Sequence, residues 1–288
     1  MQNKKEMNIL LSVQKYEISE YAIYLNLAKM ANQENEKVLI KLAEDSLKHY
    51  RYWEKITGEK VIQNKARVWA YTNLTKIFGL TFGIKLMERT EKKSQELYEN
   101  IKNINKDFTW IIEEEKIHEK EVGSLINDDL LKYIGSIVLG SSDALVELTG
   151  TLAGLTLALQ NNKLIGATGL IIGLSASFSM ASSEYLSTKS ETGGKKPLKA
   201  AFYTGATYII TVVFLIIPYF IAHNYFVSLA LTLLGASLVI LVFSFYLSII
   251  QEISFKKRFL ENLSLSFGVA FLSFIIGFLV RKFLHLDI

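Results

Sequence analysis

From Ala200 to Ile250 the chain carries no aspartate, glutamate, lysine or arginine. About 20 apolar residues let a helix cross the roughly 30 Å hydrocarbon core of a bilayer, so this stretch is long enough to cross twice. It divides into spans at 200–222 and 225–250, with His223-Asn224 as a tight turn between them. Three further apolar segments, at about 130–159, 164–186 and 259–281, reach the same length. Five transmembrane helices are therefore expected in the C-terminal part.

Charge placement sets the other boundary. Of the charged residues, 42 lie in 1–129 and 18 in 130–288. A segment that is one-third charged keeps its surface in water, whereas the remainder suits hydrocarbon. We expect two domains, 1–129 soluble and 130–288 in the membrane. The net charge of +4 is modest and the lysines are interleaved with glutamates, so no polybasic track marks nucleic acid as a partner. The absence of cysteine excludes disulfides, zinc-thiolate sites and iron–sulfur clusters. Any bound metal must rest on Glu, Asp, His or Met.

The N-terminus carries Lys4 and Lys5 and only a short apolar run at 9–13, without the marks of a signal peptide. Loops 187–199 and 251–258 together hold seven lysines and arginines, against Lys163, Arg281 and Lys282 on the opposite side. The positive-inside bias then predicts a cytoplasmic N-terminal domain and an external C-terminus.

Within 1–129, apolar residues recur at helical spacing over 16–30, 38–56, 68–101 and 108–126, with no strand signal. Thr57-Gly58 has the form of a glycine C-cap after the second helix. A four-helix bundle is the simplest way to bury four amphipathic stripes. The whole chain is thus expected to be all-α, a four-helix bundle followed by a five-helix transmembrane domain.

The bundle's chemistry-bearing residues repeat. Glu17 is followed seven residues later by Tyr24, and Glu91 seven later by Tyr98, and each glutamate precedes a histidine on the next helix, His49 and His118. Glu115-x-x-His118 sets a carboxylate and an imidazole one turn apart, the i, i+3 arrangement of carboxylate-bridged di-iron bundles. One such tetrapeptide on a Glu-rich helix is a weak signal, because 113–115 also suits a solvated face. The duplicated spacing is stronger. On these residues, 8–127 resembles the rubrerythrin and erythrin branch of the ferritin-like family. The resemblance implies Glu17, His49, Glu91, Glu115 and His118 as ligands of a di-iron centre, with Glu88 as an alternative one turn from Glu91. It departs at Ser46, where the first half should carry a glutamate, and Asp45 is the neighbouring acid that can turn inward instead.

Three acids lie inside apolar segments. Asp143 and Glu147 are one turn apart on the first span, and Glu184 is one turn after Met180 on the second. An ionised carboxylate near the bilayer centre costs about 2.5 to 3.5 kcal/mol on insertion scales, so such acids read by default as an ion pathway. Carboxylates suit hard divalent cations and a thioether suits a softer one, a mixture that fits Fe2+ better than Mg2+ or Ca2+. A methionine alone more often fills a packing gap. Gly150-x-x-x-Gly154 and Gly169-x-x-x-Gly173 allow close helix approach, and the first pair shares a face with Asp143 and Glu147. A dimer with the acids facing a shared pathway is the expectation.

The stretch from Gly140 to Glu147, Gly-Ser-Ser-Asp-Ala-Leu-Val-Glu, with Gly150 and Gly154, and then Ser-Met-Ala-Ser-Ser-Glu-Tyr from Ser179 to Tyr185, resembles the first two helices of the vacuolar iron transporter family. The five-span layout extends the resemblance over 130–288. It implies a homodimer in the lipid bilayer that moves Fe2+, sometimes Mn2+, out of the cytoplasm in exchange for protons. Asp143, Met180 and Glu184 match positions that line the path, and Glu147 joins them on its spacing alone. Plant members carry a glutamate-rich insert between the second and third spans, where this chain has only 187–199. The N-terminal bundle is then expected to capture or sense the iron. Such fusions occur in bacteria and archaea, which points to a prokaryotic cell membrane.

Two other readings stay open. One is a membrane-anchored di-iron oxidase or peroxidase, with ferroxidase activity in the bundle. An anchor has no need of Asp143 and Glu147 on one apolar face; the other reading is a purely structural membrane protein.

Overall fold

The computed structural model describes residues 2–101, 108–125, 129–191 and 194–284. Among them there are eleven helices and no strand. The chain divides into two compact units, one of Met1–Asn127 with Ile249–Gln251, the other of Asp128–Ser248 with Glu252–Ile288.

In the first unit, α1 (Gln2–Ala28), α2 (Gln33–Thr57), α4 (Leu80–Ile101) and α5 (Thr109–Ser124) make the bundle, and α3 (Lys65–Phe78) packs on α1 and α4. Asn32 caps α2 by accepting the Asn35 N–H at 2.9 Å, which satisfies one of the four donors a helix start leaves free. Gly58 ends α2 at φ 70°, its N–H donating to the Glu54 carbonyl, as the Thr57-Gly58 signal predicts. The expected third helix, 68–101, is instead two. Gly79 at φ 89° and ψ 165° stops α3, and α4 begins at the next residue. The apolar periodicity runs through this break because both helices serve one core, Val68 of α3 joining Ile84 and Met87 of α4.

That core is one of two apolar clusters. The first holds Ile23, Leu27, Leu39, Leu42, Met87 and Val122, the second Leu10, Val13, Trp53, Tyr98, Phe108 and Ile111. Every bundle helix contributes to both. The residues that fall between the two clusters along α1, α2, α4 and α5 form a single polar layer across the middle of the bundle. Glu17, Glu20, Ser46, His49, Glu91, Glu115 and His118 lie there, each 2% exposed or less.

In the second unit, the short α6 (Asp129–Lys132) precedes α7 (Ile134–Leu159), α8 (Asn162–Ser190), α9 (Pro197–Ile221), α10 (Tyr225–Ile250) and α11 (Phe255–Leu284). These last five are long and apolar enough to cross a membrane. Helix α7 packs against α8, α9 and α11. Its Ala144, Leu148 and Leu152 share a cluster with Tyr208 and Val212 of α9 and Ile240 of α10.

Small residues set the closest approach. A Cβ added at Gly277 of α11 would lie 2.2 Å from the Gly154 carbonyl oxygen, and one at Gly150 would lie 2.7 Å from Val269. The Gly150/Gly154 pair therefore seats α11 on α7 within one chain, whereas spacing alone suggested a face for a second copy. Buried hydroxyls find partners between helices, Thr156 with Tyr219 at 2.6 Å and Thr232 with the Leu215 carbonyl at 2.9 Å. Large apolar side chains such as Ile171, Phe202, Ile210, Leu234, Phe271 and Phe283 are exposed on the outer faces, as hydrocarbon contact requires.

Candidate metal centre and ion pathway

Two groups of potential ligands share the polar layer. Glu17, His49 and Glu115 form one, Glu91, Glu115 and His118 the other, and within each group the candidate donor atoms lie within 4.8 Å of one another. Glu115 belongs to both. Its Oε1 stands 3.1 Å from His49 Nδ1 and 3.7 Å from His118 Nδ1, and Glu17 Oε2 stands 3.5 Å from the same His49 nitrogen. The two imidazoles stack with centroids 5.6 Å apart. All five residues are among those the sequence singles out.

The supporting hydrogen bonds are reciprocal. Tyr24 of α1 donates to Glu91 of α4, and Tyr98 of α4 donates to Glu17 of α1. The crossing follows from antiparallel helices, and it explains why both glutamates precede a tyrosine by seven residues. The histidines repeat the pattern between α2 and α5. His49 Nε2 lies 2.9 Å from Glu114, and His118 Nε2 lies 3.2 Å from Asp45. Each ring thus gives its outer nitrogen to an acid and turns Nδ1 toward the cluster. In metal sites this arrangement fixes the ring and raises its basicity.

Several expectations change here. Asp45 does not turn inward; its side chain is 26% exposed and it holds His118 from outside. Glu114, 31% exposed, does the same for His49 and escaped the sequence reading. Glu88 stands apart from the cluster, paired with Lys85 at 2.7 Å and Lys92 at 3.6 Å. The Ser46 hydroxyl donates to the Leu42 carbonyl at 3.0 Å, an ordinary bond back along its own helix. Glu20, three residues after Glu17 and so on the same face, also escaped notice although its i, i+3 spacing was in plain view.

The electrostatics of the layer follow from its burial and its closely set acids. Burial pushes the Glu17, Glu20 and Glu91 carboxyl groups up, and the neighbouring Glu115 charge adds to the effect on each. Burial opposes the charge on Glu115 too, but its close contacts with His118, His49 and Glu91 outweigh it and hold that group below the usual carboxylate range. Burial alone would lower His49, yet the Glu17 and Glu115 carboxylates raise it well above 6.5. His118 is raised in the same way, chiefly by Glu115. Glu17 Oε2 and both Nδ1 atoms are buried without a directed hydrogen bond, so they remain available to a cation. Carboxylate oxygens with imidazole nitrogens fit a borderline divalent ion such as Fe2+ or Mn2+.

In the second unit Asp143 and Glu147 are half-buried on α7. Tyr208 of α9 donates to Glu147 Oε2 at 2.5 Å, and Ser136, near the start of α7, donates to Glu184 Oε1 of α8 at 2.5 Å. Met180 packs against the apolar cluster of α7 and α9. Among the described residues, no three acids or histidines of this unit converge as they do in the bundle. The four residues therefore lie along α7 and α8 without forming a closed cage in one chain. Tyr208 gave no signal in the sequence, since nothing in the charge-free stretch from Ala200 onward marks one tyrosine above another.

No curated protein and no solved structure matches the chain. A family model described as the VIT family matches residues 134–193, which include all of α7 and α8. That match and five membrane-length helices make the second unit similar to membrane transporters of metal ions, within an integral membrane protein.

Proposed function

We propose that the protein is a divalent-metal transporter, with Fe2+ as its main cargo and Mn2+ as a second, that exports the ion from the cytoplasm in exchange for protons. In this reading it works as a homodimer, and its N-terminal bundle is a ferritin-like module that captures or senses the metal. One observation carries the proposal. The VIT family match falls on the two helices that hold Asp143, Glu147, Met180 and Glu184.

Physical argument supports the finer points. Three acids in membrane-spanning helices are costly unless an ion passes them. Half-buried carboxylates that do not converge within one chain favour a pathway completed by a second copy. Moving a cation out of a negative interior is uphill by about 2.3 kcal/mol per charge per 100 mV, so a divalent ion needs a coupled driving force. Protons returning through the same carboxylates supply it. In inside-out proteoliposomes, Fe2+ uptake should follow an imposed proton gradient and vanish in Asp143→Ala. Undiminished uptake in that variant refutes the mechanism.

A second reading, a membrane-anchored di-iron oxidase or peroxidase, is favoured by the paired Glu and His groups of the bundle. Glu17 and His49 would hold one ion, Glu91 and His118 the other, with Glu115 between them. A resident metal pair would supply one-electron redox chemistry at that layer. Oxygen-dependent ferric absorbance from the full chain, lost in Glu115→Ala, would favour this reading over a capture role.

A further inference from the structure

We infer that Glu20 supplies the fourth carboxylate of the buried metal site, in the role that Ser46 leaves unfilled. The inference rests on the metal-binding reading of the bundle. Di-iron bundles combine four carboxylates with two imidazoles, two helices giving one Glu each and two giving Glu-x-x-His. Here α5 gives Glu115-x-x-His118, but α2 gives Ser46-x-x-His49. Glu17, Glu91 and Glu115 are therefore one carboxylate short of the set.

Charge balance points the same way. Two divalent ions bring four positive charges into a layer closed above and below by apolar clusters, against three inward carboxylates, with Glu114 and Asp45 on the outer, partly exposed side of the histidines. Burial of an unpaired charge is expensive. A fourth carboxylate makes the layer neutral with both imidazoles uncharged.

Glu20 is the residue in position to do this. It is one turn beyond Glu17 on α1 and 1% exposed. Its strongest electrostatic neighbours are Glu115 and Glu17, and Glu91 feels its charge in turn. Its carboxyl group shares a hydrogen bond with the Tyr16 side chain, and one oxygen is left over. Oε1 has no hydrogen bond, and Arg67 Nη2 is no nearer than 4.0 Å. That guanidinium stacks on the rings of Tyr16 and Tyr71, at 4.0 and 5.3 Å, which holds it in place. The Tyr16 hydroxyl donates to the Thr90 carbonyl at 2.7 Å. A buried carboxylate beside three other acids, with one distant cation, lacks a counter-ion that a metal would provide. Glu20 stands outside both close groups, so it must rotate from the Arg67 side toward the ions as they bind.

The test uses the full chain in detergent, titrated with Co2+ without oxygen. The three tryptophans, Trp53, Trp69 and Trp110, all lie in the first unit, and Trp110 sits 5.5 Å from the His49 ring. Quenching of their fluorescence by Co2+ therefore reads the bundle and not the membrane helices. The wild type should saturate at about two ions per chain. Glu20→Gln, which keeps shape and removes the charge, should lose one ion or bind it at least tenfold more weakly, and Glu20→Gln with Ser46→Glu should recover both. A Glu20→Gln isotherm identical to wild type overturns the inference. So does a loss that Ser46→Glu fails to restore, which would mark Glu20 and Arg67 as a structural pair. A wild type that shows no quenching fails one step earlier, at the metal-binding reading itself.

Discussion

In the proposed metal-binding role the polar layer trades protons for cations at single residues, and this has measurable consequences. His49 and His118 are raised by Glu115 and its neighbours, and Glu17, Glu20 and Glu91 are raised by burial. A ligand must shed its proton before it binds, so metal entry at pH 7 should release protons. We expect at least two per pair of ions, counted with a pH indicator in weakly buffered detergent solution, and fewer in His49→Ala. The same shifts fix the pH dependence of the metal-free fold. A group raised on folding stabilises below its ordinary value and loses that contribution as pH rises through the raised one. This covers the three carboxyls from 4.5 upward and the two histidines from 6.5 upward. Glu115 runs the other way, stabilising above 4.5 and failing as pH falls through its lowered value. The metal-free bundle should therefore unfold at its highest temperature near pH 4.5, where the three raised carboxyls begin to lose their contribution, and at a lower one by pH 8, followed by tryptophan fluorescence. Bound Mn2+ should cancel the loss at pH 8.

At this scale the sequence revealed five residues of the layer because helical periodicity and duplication both mark them. It failed at Glu20 and Glu88, which have the same spacing from Glu17 and Glu91, about 60° around a helix. Their fates diverge through neighbours that spacing does not show. Lys85 and Lys92 hold Glu88 from its own helix, whereas the cation facing Glu20 is Arg67 of α3 at 4.0 Å.

At the scale of elements, the break at Gly79 is the main departure from the sequence pattern. A stripe of apolar residues at 3.6-residue period cannot register a change of backbone direction when both pieces face one core. Gly79 at φ 89° is a position where a side chain is strained, so Gly79→Ala should destabilise the first unit by about 1 to 2 kcal/mol in denaturant unfolding. Helix α9 raises a related point. Its lack of any charge beyond Lys199 made it an easy span to find and concealed what it contributes, the Tyr208 hydroxyl on Glu147. A hydrogen bond to a charged group contributes roughly 1.5 to 3 kcal/mol. Tyr208→Phe should slow metal transport in proteoliposomes by about tenfold or more while leaving the detergent-solubilised protein folded. An unchanged rate would mean that Glu147 needs no partner from α9. Small-residue pairs were legible as close contacts, but not as contacts with α11, since Gly277 lies more than a hundred residues from Gly154.

For the whole molecule, the proposed function gives the two units chemistry of the same kind, carboxylates that take up a divalent ion in place of protons, joined in one chain. Covalent linkage makes a second binding event intramolecular, at an effective concentration that reaches the millimolar range for short connections. A bundle that captures Fe2+ would then raise the local supply to the membrane helices most when the metal is scarce. Glu115→Ala with His118→Ala removes the shared ligand and one imidazole from the layer without touching the second unit. Initial transport rates should fall by about tenfold at limiting Fe2+ and by much less at saturating Fe2+, so that the half-saturating concentration rises. A sensor behaves differently. If the loaded bundle switches the membrane unit on, the double variant lowers the rate by the same factor at every Fe2+ concentration. The dependence of rate on metal concentration thus separates capture from sensing, and a double variant indistinguishable from wild type across the whole range rules out both.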